Sequence, residues 1–430
     1  MRRKSPKARK CPICQLPAIK HSKTSSGRQR WRCKPCAFTF TATRSDTASV
    51  VEAAQFELFV RYVTGNLTKS DLAGVKGVSR STLARDLDWC WQVPTPSLVA
   101  TGEIYDQIFL DGIYLNSNWV LLCGVNNRGE TIAWQWATSE NSLAYKALLK
   151  DTAPPLVVTT DGASGGLKAV HELWGVKTKP DPKHKDQGLI DAIQDPGDVE
   201  DKGQVPLLQR CLIHVHRNNK KDLTKNPGTE AGKALLVISK RLLKVKTKEE
   251  AAQWMEALNA FYQVYEDWIK ERTYAKDDPE AAKTHGNKTW WYTHGRDRRV
   301  YQRLVRLTRS QTLFSFLQIA PYGPKALSPF TNQAESANAI TRRRLDQHRG
   351  MPTSHAQALT EWNLYIHSEN PISPKTIYQE WNQNGRPQRR TVPTKTAPTP
   401  KPTGPAQYDT GLTADEGLWT RKGWAGRSLP

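Results

Sequence analysis

LVVTTDG, residues 156–162, is an apolar run that ends in an aspartate, and IFLDG, residues 108–112, repeats the pattern earlier in the chain. Each run has the length and composition typical of a buried strand. If the two strands are parallel neighbours in one sheet, Asp111 and Asp161 emerge near the same edge and can share a metal ion. Either aspartate taken alone could equally begin a turn, because Asp-Gly is a common turn dipeptide. Together the two runs predict a sheet with a carboxylate pair at one edge.

The stretches around these runs predict an α/β domain. Strands are predicted at residues 104–111, 119–125, 131–136, 156–160 and 205–213, and helices at residues 142–150 and 166–174. A hairpin meander followed by alternating helix and strand is the order of an RNase H-like α/β domain. Residues 177–203 are polar and predict an exposed loop. Residues 216–317 carry apolar side chains at helical spacing, which predicts an all-α insertion in this domain.

A third acidic residue, Glu335, lies one turn into a predicted helix. The helix continues into three arginines, Arg342, Arg343 and Arg344, which are candidate DNA contacts. Glu335, Asn338 and Arg342 share one helical face, because they are spaced at i, i+3 and i+7. Such a face suits a metal at one end and phosphates along the rest. The alternative is that the helix dipole alone favours an acid in the first turn.

Two pairs of cysteines precede this domain, with eighteen residues between the pairs. The four residues are Cys11, Cys14, Cys33 and Cys36. Each CxxC turn presents two thiolates, and two such turns complete the tetrahedral site of one structural zinc ion. The chain has seven cysteines, an odd number that favours a metal site over a disulfide framework. Residues 1–44 are therefore predicted to be a basic arm and a small zinc ribbon.

Residues 50–93 predict a second, all-α module with a helix-turn-helix. A short helix at residues 67–73, a turn at 74–78 and an N-cap at Ser79 introduce a second helix with a polar and basic start. That arrangement places a reading helix in the DNA major groove, although many helix pairs of this kind merely pack. The candidate DNA contacts of the two modules are Arg30, Arg32, Arg80, Ser81, Thr82 and Arg85.

Length and charge restrict the class of protein. The 430 residues suffice for two to four folded units. The net charge is +22, and residues 1–44 contain thirteen Lys or Arg and no acid, which favours a polyanionic partner such as DNA. A membrane surface or a translation particle would also suit a basic chain. The longest apolar run, residues 119–125, is too short to span a bilayer, and no apolar stretch follows the basic start. We therefore expect a soluble, intracellular protein without a membrane partner.

Two further segments invite an interpretation. Trp290 and Trp291 lie beside Arg296 and Arg298 in the predicted insertion. Aromatic side chains among arginines can stack an unpaired base, but either tryptophan could instead be part of the core. Residues 371–430 are basic and rich in Pro and Thr, which predicts a mostly disordered tail.

The order of these motifs resembles that of bacterial Mutator-type insertion-sequence transposases, over about residues 105–367. The matching motifs are DGIY at 111–114, TDG at 160–162, QRCLIH at 209–214 with Arg217-Asn218, and residues 331–344. The resemblance implies an RNase H-like catalytic domain at residues 101–215 and 318–370, interrupted by the helical insertion. It also implies a DDE triad of Asp111, Asp161 and Glu335 that holds two Mg²⁺ (or Mn²⁺) ions. Thr341 and Ser336-Ala337 depart from the commoner family pattern without removing a ligand.

The resemblance also implies that Cys211 and His214 lie near the active centre. Two ligands with no second pair do not make a closed zinc site, so we interpret them, with Asn338, as support for the site. A structural role for the pair is favoured over a catalytic one, because cysteine is often simply buried.

The implied function is that of a DNA transposase in a bacterial cytoplasm, associated with the nucleoid. It would bind the terminal inverted repeats of its element, nick the ends and join a freed 3′-hydroxyl to target DNA, without a small-molecule substrate. Because two ends must be held together, we expect at least a dimer. Two alternatives remain: a DNA-binding regulator that uses only residues up to about 91, and an RNase H-like nuclease that cuts without joining.

Overall fold

The computed structural model describes residues 9–25, 27–41, 45–115, 119–179, 205–286 and 288–390. These residues form two compact units. The N-terminal unit contains the described residues up to 98 together with 339–390, and the sheet unit contains those between 99 and 338. The predicted exposed loop at 177–203 lies outside the described residues from 180 onward, as does the predicted tail from 391 to 430.

The strands are β1 (Ala18–Lys23), β2 (Gln29–Cys33), β3 (Thr39–Thr41), β4 (Gln107–Leu115), β5 (Trp119–Asn126), β6 (Thr131–Ala137), β7 (Val157–Thr160), β8 (Leu207–Arg210), β9 (Arg272–Tyr274) and β10 (Trp290–Tyr292). The helices are α1 (Ser45–Thr64), α2 (Lys69–Lys76), α3 (Arg80–Leu87), α4 (Ser142–Leu149), α5 (Ser164–Trp174), α6 (Leu212–Leu223), α7 (Glu230–Leu242), α8 (Lys248–Lys270), α9 (Pro279–Ala282), α10 (Gly295–Arg309), α11 (Asn332–Gln347), α12 (Thr353–Ile366) and α13 (Pro374–Gln383).

The sheet unit is built on a mixed five-stranded sheet in the order β6-β5-β4-β7-β8. β4, β5 and β6 form an antiparallel meander, whereas β4, β7 and β8 run parallel. Consecutive residues of β7 face opposite sides: Val157 packs in a cluster with Trp254 of α8, and Val158 packs with Tyr145 of α4. Burial on both faces explains why these strands are continuous apolar runs in the sequence.

The pairing of β4 corrects one expectation about Asp111. The strand was expected to end at this aspartate, but β4 continues to Leu115 because it keeps its antiparallel partner β5. Its parallel pairing with β7 does end there, with Leu110 opposite Thr160. Asp111 and Asp161 are therefore the next residues of two neighbouring strands, as predicted, at the point where those strands part.

The fifth strand is shorter than expected, because β8 ends at Arg210 and α6 begins at Leu212. His214 consequently lies on a helix. The predicted insertion is mainly helical but not all-α, since β9 and β10 form an antiparallel hairpin within it. Its helices share a buried cluster with Val157 of the sheet, so the insertion packs on one face of the sheet.

The N-terminal unit combines both ends of the described chain. Trp362 of α12 contacts Phe56 of α1 at 5.5 Å between ring centroids, and Trp381 of α13 stacks on Trp89 at 5.6 Å. These aromatic contacts account for a difference from the predicted domain boundaries. Residues 339–370 were assigned to the catalytic domain and residues 371–430 to a tail, yet the described residues 339–390 belong to the N-terminal unit and include two helices.

Within this unit, α2 and α3 are joined by a tight turn. Thr68 and Asp71 form a capping box at the start of α2, and the Ser79 hydroxyl accepts a hydrogen bond from the Thr82 amide at the start of α3, as predicted. α2 is longer than predicted because Gly77, with φ of 65°, takes the left-handed conformation that ends the helix. No helix among the residues that the structure describes is long and apolar enough to cross a membrane.

Candidate active site

Asp111 and Asp161 are each oriented by a specific hydrogen bond. The Asn338 side-chain amide donates to Asp111 Oδ2 at 2.6 Å, and the Ala163 backbone amide donates to Asp161 Oδ1 at 2.9 Å. Asn338 is buried on α11, one turn after Glu335. The amide of Asn338, which was predicted to support the site, thus joins α11 to the point where the β4–β7 pairing ends.

Glu335 faces two basic side chains of α6. Its Oε1 lies 3.7 Å from His214 Nε2 and 3.6 Å from Arg217 Nη1. His214 also lies within the electrostatic influence of Asp161 and Asp111. Glu335 therefore lies within 4 Å of an imidazole on which both aspartates also act electrostatically. The carboxylate oxygens of the three acids do not all lie within 4.8 Å of one another. The sulfur atoms of the four N-terminal cysteines do.

The Cys211–His214 pair lies beneath these acids. Cys211 is fully buried and accepts a hydrogen bond from the Thr331 hydroxyl at 3.3 Å. Burial lowers the pKa of His214, but the Cys211 side chain beside it and the charges of Asp161 and Asp111 outweigh burial and raise that pKa to about 9. The imidazole is thus positively charged at neutral pH, which suits a group that holds Glu335 next to two aspartates.

The structure adds Glu140, an acid that the sequence analysis did not identify. It follows β6 and directly precedes Asn141, the N-cap of α4. A Cβ atom at Gly112 would overlap Glu140 Oε1, so this carboxylate lies against the backbone next to Asp111. Burial, together with the charges of Asp161 and Asp111, raises the pKa of Glu140 to about 8.

The pKa of Asp111 is raised for similar reasons. Burial and the neighbouring Asp161 raise its pKa to about 6, although His214 and Asn338 act in the opposite direction. Buried carboxylates that repel one another are costly unless protons or cations compensate them. Carboxylate oxygens are the donors that Mg²⁺ or Mn²⁺ prefers. Asp111, Asp161 and Glu335 thus have the ligand type that a divalent ion prefers, but among the described residues the group whose ligand atoms all lie within 4.8 Å of one another is that of the four cysteines.

Arg210 supports the site from below Asp161. Its guanidinium donates to the Asp161 carbonyl oxygen at 3.0 Å and lies over Gly162, where a Cβ atom would overlap it. Gly162 has φ of 100°, a conformation that side chains rarely adopt. Burial lowers the pKa of Arg210 to about 10 against the opposing charge of Asp161, so the arginine stays charged at neutral pH.

The four N-terminal cysteines form a compact cluster, as predicted. Their sulfur atoms lie within 4.8 Å of one another, with Cys14 Sγ 3.3 Å from Cys33 Sγ and Cys11 Sγ 3.5 Å from Cys36 Sγ. The antiparallel pairing of Ala18 with Cys33 fixes the second knuckle beside the first. The cluster could hold one metal ion, and four thiolates are the donor set of structural zinc.

We expect Cys33→Ser to release this zinc ion, because three thiolates do not complete the tetrahedral site. Elemental analysis of the purified protein should fall from about one zinc per chain to much less than one. Cys123→Ser is the matched control, since Cys123 is equally buried but lies on β5 outside the cluster. Equal zinc content in the two variants would contradict the assignment.

The side chains predicted to contact DNA differ in their solvent exposure. Of the candidates in the N-terminal unit, the exposed ones are Arg30, Arg32, Arg80, Ser81, Arg85, Arg342 and Arg343. Thr82 is half-buried, and its amide and hydroxyl bond to Ser79. Arg344 is also half-buried and donates to Asn66 and Gln347 within the unit, so it stabilises the loop before α2.

The two tryptophans of the β9–β10 hairpin are consecutive in β10, so they point to opposite faces. Arg272 covers the Trp290 ring at 4.2 Å, and His285 stacks on Trp291 at 4.3 Å. Arg298 lies over Tyr292 at 3.7 Å and donates to the Ile269 carbonyl, which gives it a structural role, whereas Arg296 is exposed. Both tryptophans are half-buried, so neither is a fully solvated platform.

Comparison of the chain with models of known protein families finds no matching family, and comparison with curated proteins finds no match. The resemblance to transposases therefore depends on the sequence motifs alone.

Proposed function

We propose that the protein is a DNA transposase of the bacterial Mutator insertion-sequence type, with a Mg²⁺-dependent DDE active site. The observation that carries the proposal is that Asp111 and Asp161 follow paired residues of neighbouring strands, while the helix that carries Glu335 reaches Asp111 through Asn338. The three acids come from sequence positions up to 224 residues apart (335 − 111), and each is the acid of a motif that the resemblance implies.

The sheet order supports an RNase H-like fold for the catalytic domain. A meander of three antiparallel strands, with two further strands added in parallel next to the first, places the first and fourth strands side by side. The proposed fold and the proposed triad thus support each other, because the two aspartates follow from that adjacency.

The protein's own groups have distinct tasks in this mechanism. Asn338 orients Asp111 through a hydrogen bond, whereas His214 and Arg217 lie at ion-pair distance from Glu335. Two divalent ions bound by the triad would favour deprotonation of the attacking water or 3′-hydroxyl and stabilise the leaving oxygen. His214 and Arg217 also supply positive charge beside the site, which suits the phosphates of the DNA strand.

The N-terminal unit is the proposed reader of the terminal inverted repeats. α3 presents the exposed Arg80 and Ser81 at its capped start, the part of a recognition helix that contacts bases, and the exposed Arg85 in its last turn. β2 presents Arg30 and Arg32 on one exposed face, opposite the buried Trp31. The assembly would be at least a dimer, because two DNA ends must be joined in one reaction.

The test is a reaction on labelled DNA that carries the sequences flanking the gene for this chain. With Mg²⁺, the intact protein is expected to release 3′-hydroxyl ends and to join them to a second DNA. Cleavage without joining would favour the nuclease alternative. Specific binding without either reaction would favour the regulator alternative and contradict the proposal.

Replacing Arg80 and Arg85 together by alanine is expected to weaken binding to the end DNA about tenfold or more. The slope of the logarithm of the binding constant against the logarithm of the salt concentration should also become shallower, by the amount expected for the loss of up to about two phosphate contacts. The control replaces Lys246 and Lys248, two exposed lysines of the sheet unit, and thus removes the same charge. If fluorescence anisotropy shows equal losses for both double variants, α3 is not a specific contact.

A further inference from the structure

The exposed sides of α6 and α7 carry a set of basic side chains, which we call the basic face. Its members are Arg217 and Lys220 of α6, Lys240 and Arg241 of α7, and Lys244 in the turn that follows α7. The apolar side chains of both helices pack into the buried cluster that joins the insertion to the sheet. The basic side chains are therefore left on the solvent side of the two helices.

A buried hydrogen-bond network holds the two helices together beneath these charges. Ser239 Oγ of α7 lies 3.0 Å from His216 Nδ1 of α6 and accepts a hydrogen bond from the Asn219 side-chain amide at 2.9 Å. Ser239 and Asn219 are fully buried. Burial lowers the pKa of His216, and the charges of Lys220 and Lys240 lower it further. Lysines from both helices therefore lie near one imidazole.

Three lysines of the basic face lack the acidic partners that other exposed lysines of the insertion have. Lys233 and Lys270 each pair with a glutamate one turn away. No acid lies three or four residues from Lys220, Lys240 or Lys244, and in the described part of the chain these three form no ion pair. Like charges one turn apart repel each other, and a bound polyanion relieves that repulsion.

The basic face begins at the candidate active site. Arg217 is exposed, and its Nη1 lies 3.6 Å from Glu335 Oε1. Lys220 follows Arg217 one turn later on α6, so it extends the positive charge along the helix. Lysine neutralises phosphates as a point charge, and contacts to phosphates carry no sequence information. Such a face suits the backbone of a nucleic acid of any sequence, on a path that leads to Glu335.

We propose that the basic face binds the phosphate backbone of duplex DNA and holds the target DNA beside the candidate active site. A DNA that receives the cut ends must lie next to the reacting 3′-hydroxyl, and a face without base contacts admits it whatever its sequence. The role in target binding depends on the proposed function. The binding of duplex DNA depends only on the charges and their arrangement.

The test is binding of the full-length, zinc-loaded protein to a labelled duplex whose sequence is unrelated to the element's ends. Replacing Lys220, Lys240 and Lys244 together by alanine is expected to weaken this binding at least about tenfold at low salt. The slope of the logarithm of the binding constant against the logarithm of the salt concentration should become shallower, by the amount expected for up to about three phosphate contacts. Because all three side chains are exposed, the melting temperature should stay unchanged.

The control variant replaces Lys150, Lys168 and Lys177 by alanine and thus removes the same charge. These exposed lysines lie in or directly after α4 and α5, which pack on the opposite face of the sheet. Equal losses in the two triple variants, or no loss in either, would overturn the proposal. Weaker binding of the first variant to vesicles of anionic lipid, with unchanged binding to the duplex, would indicate a membrane surface and would also overturn it.

The joining reaction tests the target role separately. With ends that are already cut, the variant at residues 220, 240 and 244 should join them to a second DNA at least about tenfold more slowly, while it cleaves uncut ends at the intact rate. Equal losses in cleavage and joining would overturn the target role. If the intact protein neither cleaves nor joins while the variant still loses duplex binding, the proposed function fails and the DNA-binding face is retained.

Discussion

Glu335→Gln is expected to bind the end DNA as tightly as the intact protein and to lose cleavage and joining by a factor on the order of 10³. The glutamine keeps the shape of the side chain and can still approach His214 and Arg217, which lie 3.7 and 3.6 Å from Oε1. It removes one negative ligand of the proposed metal centre, and a loss of several kcal/mol of transition-state stabilisation corresponds to such a factor.

The measurement is single-turnover cleavage of labelled end DNA, with binding followed separately by anisotropy. Glu172→Gln serves as the control, because it makes the same chemical change on an exposed residue of the sheet unit. Cleavage by Glu335→Gln within about tenfold of the intact rate would remove Glu335 from the triad.

Gly162→Ala is expected to destabilise the protein by about 3 kcal/mol or more and to abolish activity. A residue with positive φ costs roughly 1–3 kcal/mol as alanine, and Gly162 has φ of 100°. The new methyl group would also overlap the buried guanidinium of Arg210, and breaking its bond to the Asp161 carbonyl leaves a buried donor unpaired, at roughly 1–3 kcal/mol. Because that carbonyl belongs to a residue of the proposed triad, the shift is expected to change the proposed site as well as the stability.

Gly175→Ala is the control that measures the loss of stability caused by the positive φ alone, without a steric overlap. Gly175 ends α5 with φ of 69°, and a Cβ atom there would meet nothing within 4 Å. Thermal or denaturant unfolding should give a loss of about 1 kcal/mol for this control. Equal losses for the two variants would show that Arg210 does not restrict position 162.

The sequence alone was sufficient to predict that Asp111 and Asp161 lie side by side, because this placement depends on the order of the strands. A strand buried on both faces is an unbroken apolar run, so β4 and β7 were recognisable, and the aspartate at the end of each run followed. The extension of β4 to Leu115 was not predictable from the run, because it depends on the antiparallel partner β5 and not on local apolarity.

Glu140 is a residue of the candidate site that the sequence alone did not identify. It lies in the polar segment TSEN, residues 138–141, which is typical of an exposed loop before a helix. Its partial burial arises only when Gly112 and Gly165, distant in sequence, leave room for its side chain and backbone. Those two glycines were the available signal, but using them requires knowing that the three segments meet.

The C-terminal helices were missed for a related reason. Residues 371–390 contain prolines and basic residues, which suggested a tail, yet Trp381 and Tyr378 are buried against Trp89 in the N-terminal unit. An ion pair of 2.6 Å between Arg386 and Glu52 adds to this packing. Long-range aromatic contacts of this kind are not encoded in local composition.

The central claim is that Asp111, Asp161 and Glu335 hold divalent ions at one place, and it can be measured directly by metal-directed cleavage of the polypeptide. Fe²⁺ would replace Mg²⁺ in the zinc-loaded protein, and ascorbate with peroxide would generate radicals that cut the backbone near the bound ion. The account predicts fragments ending near residues 111, 161 and 335, suppressed by excess Mg²⁺ and absent in Asp161→Asn. Cuts confined to residues 11–36, or unaffected by Mg²⁺ and by that substitution, would contradict it.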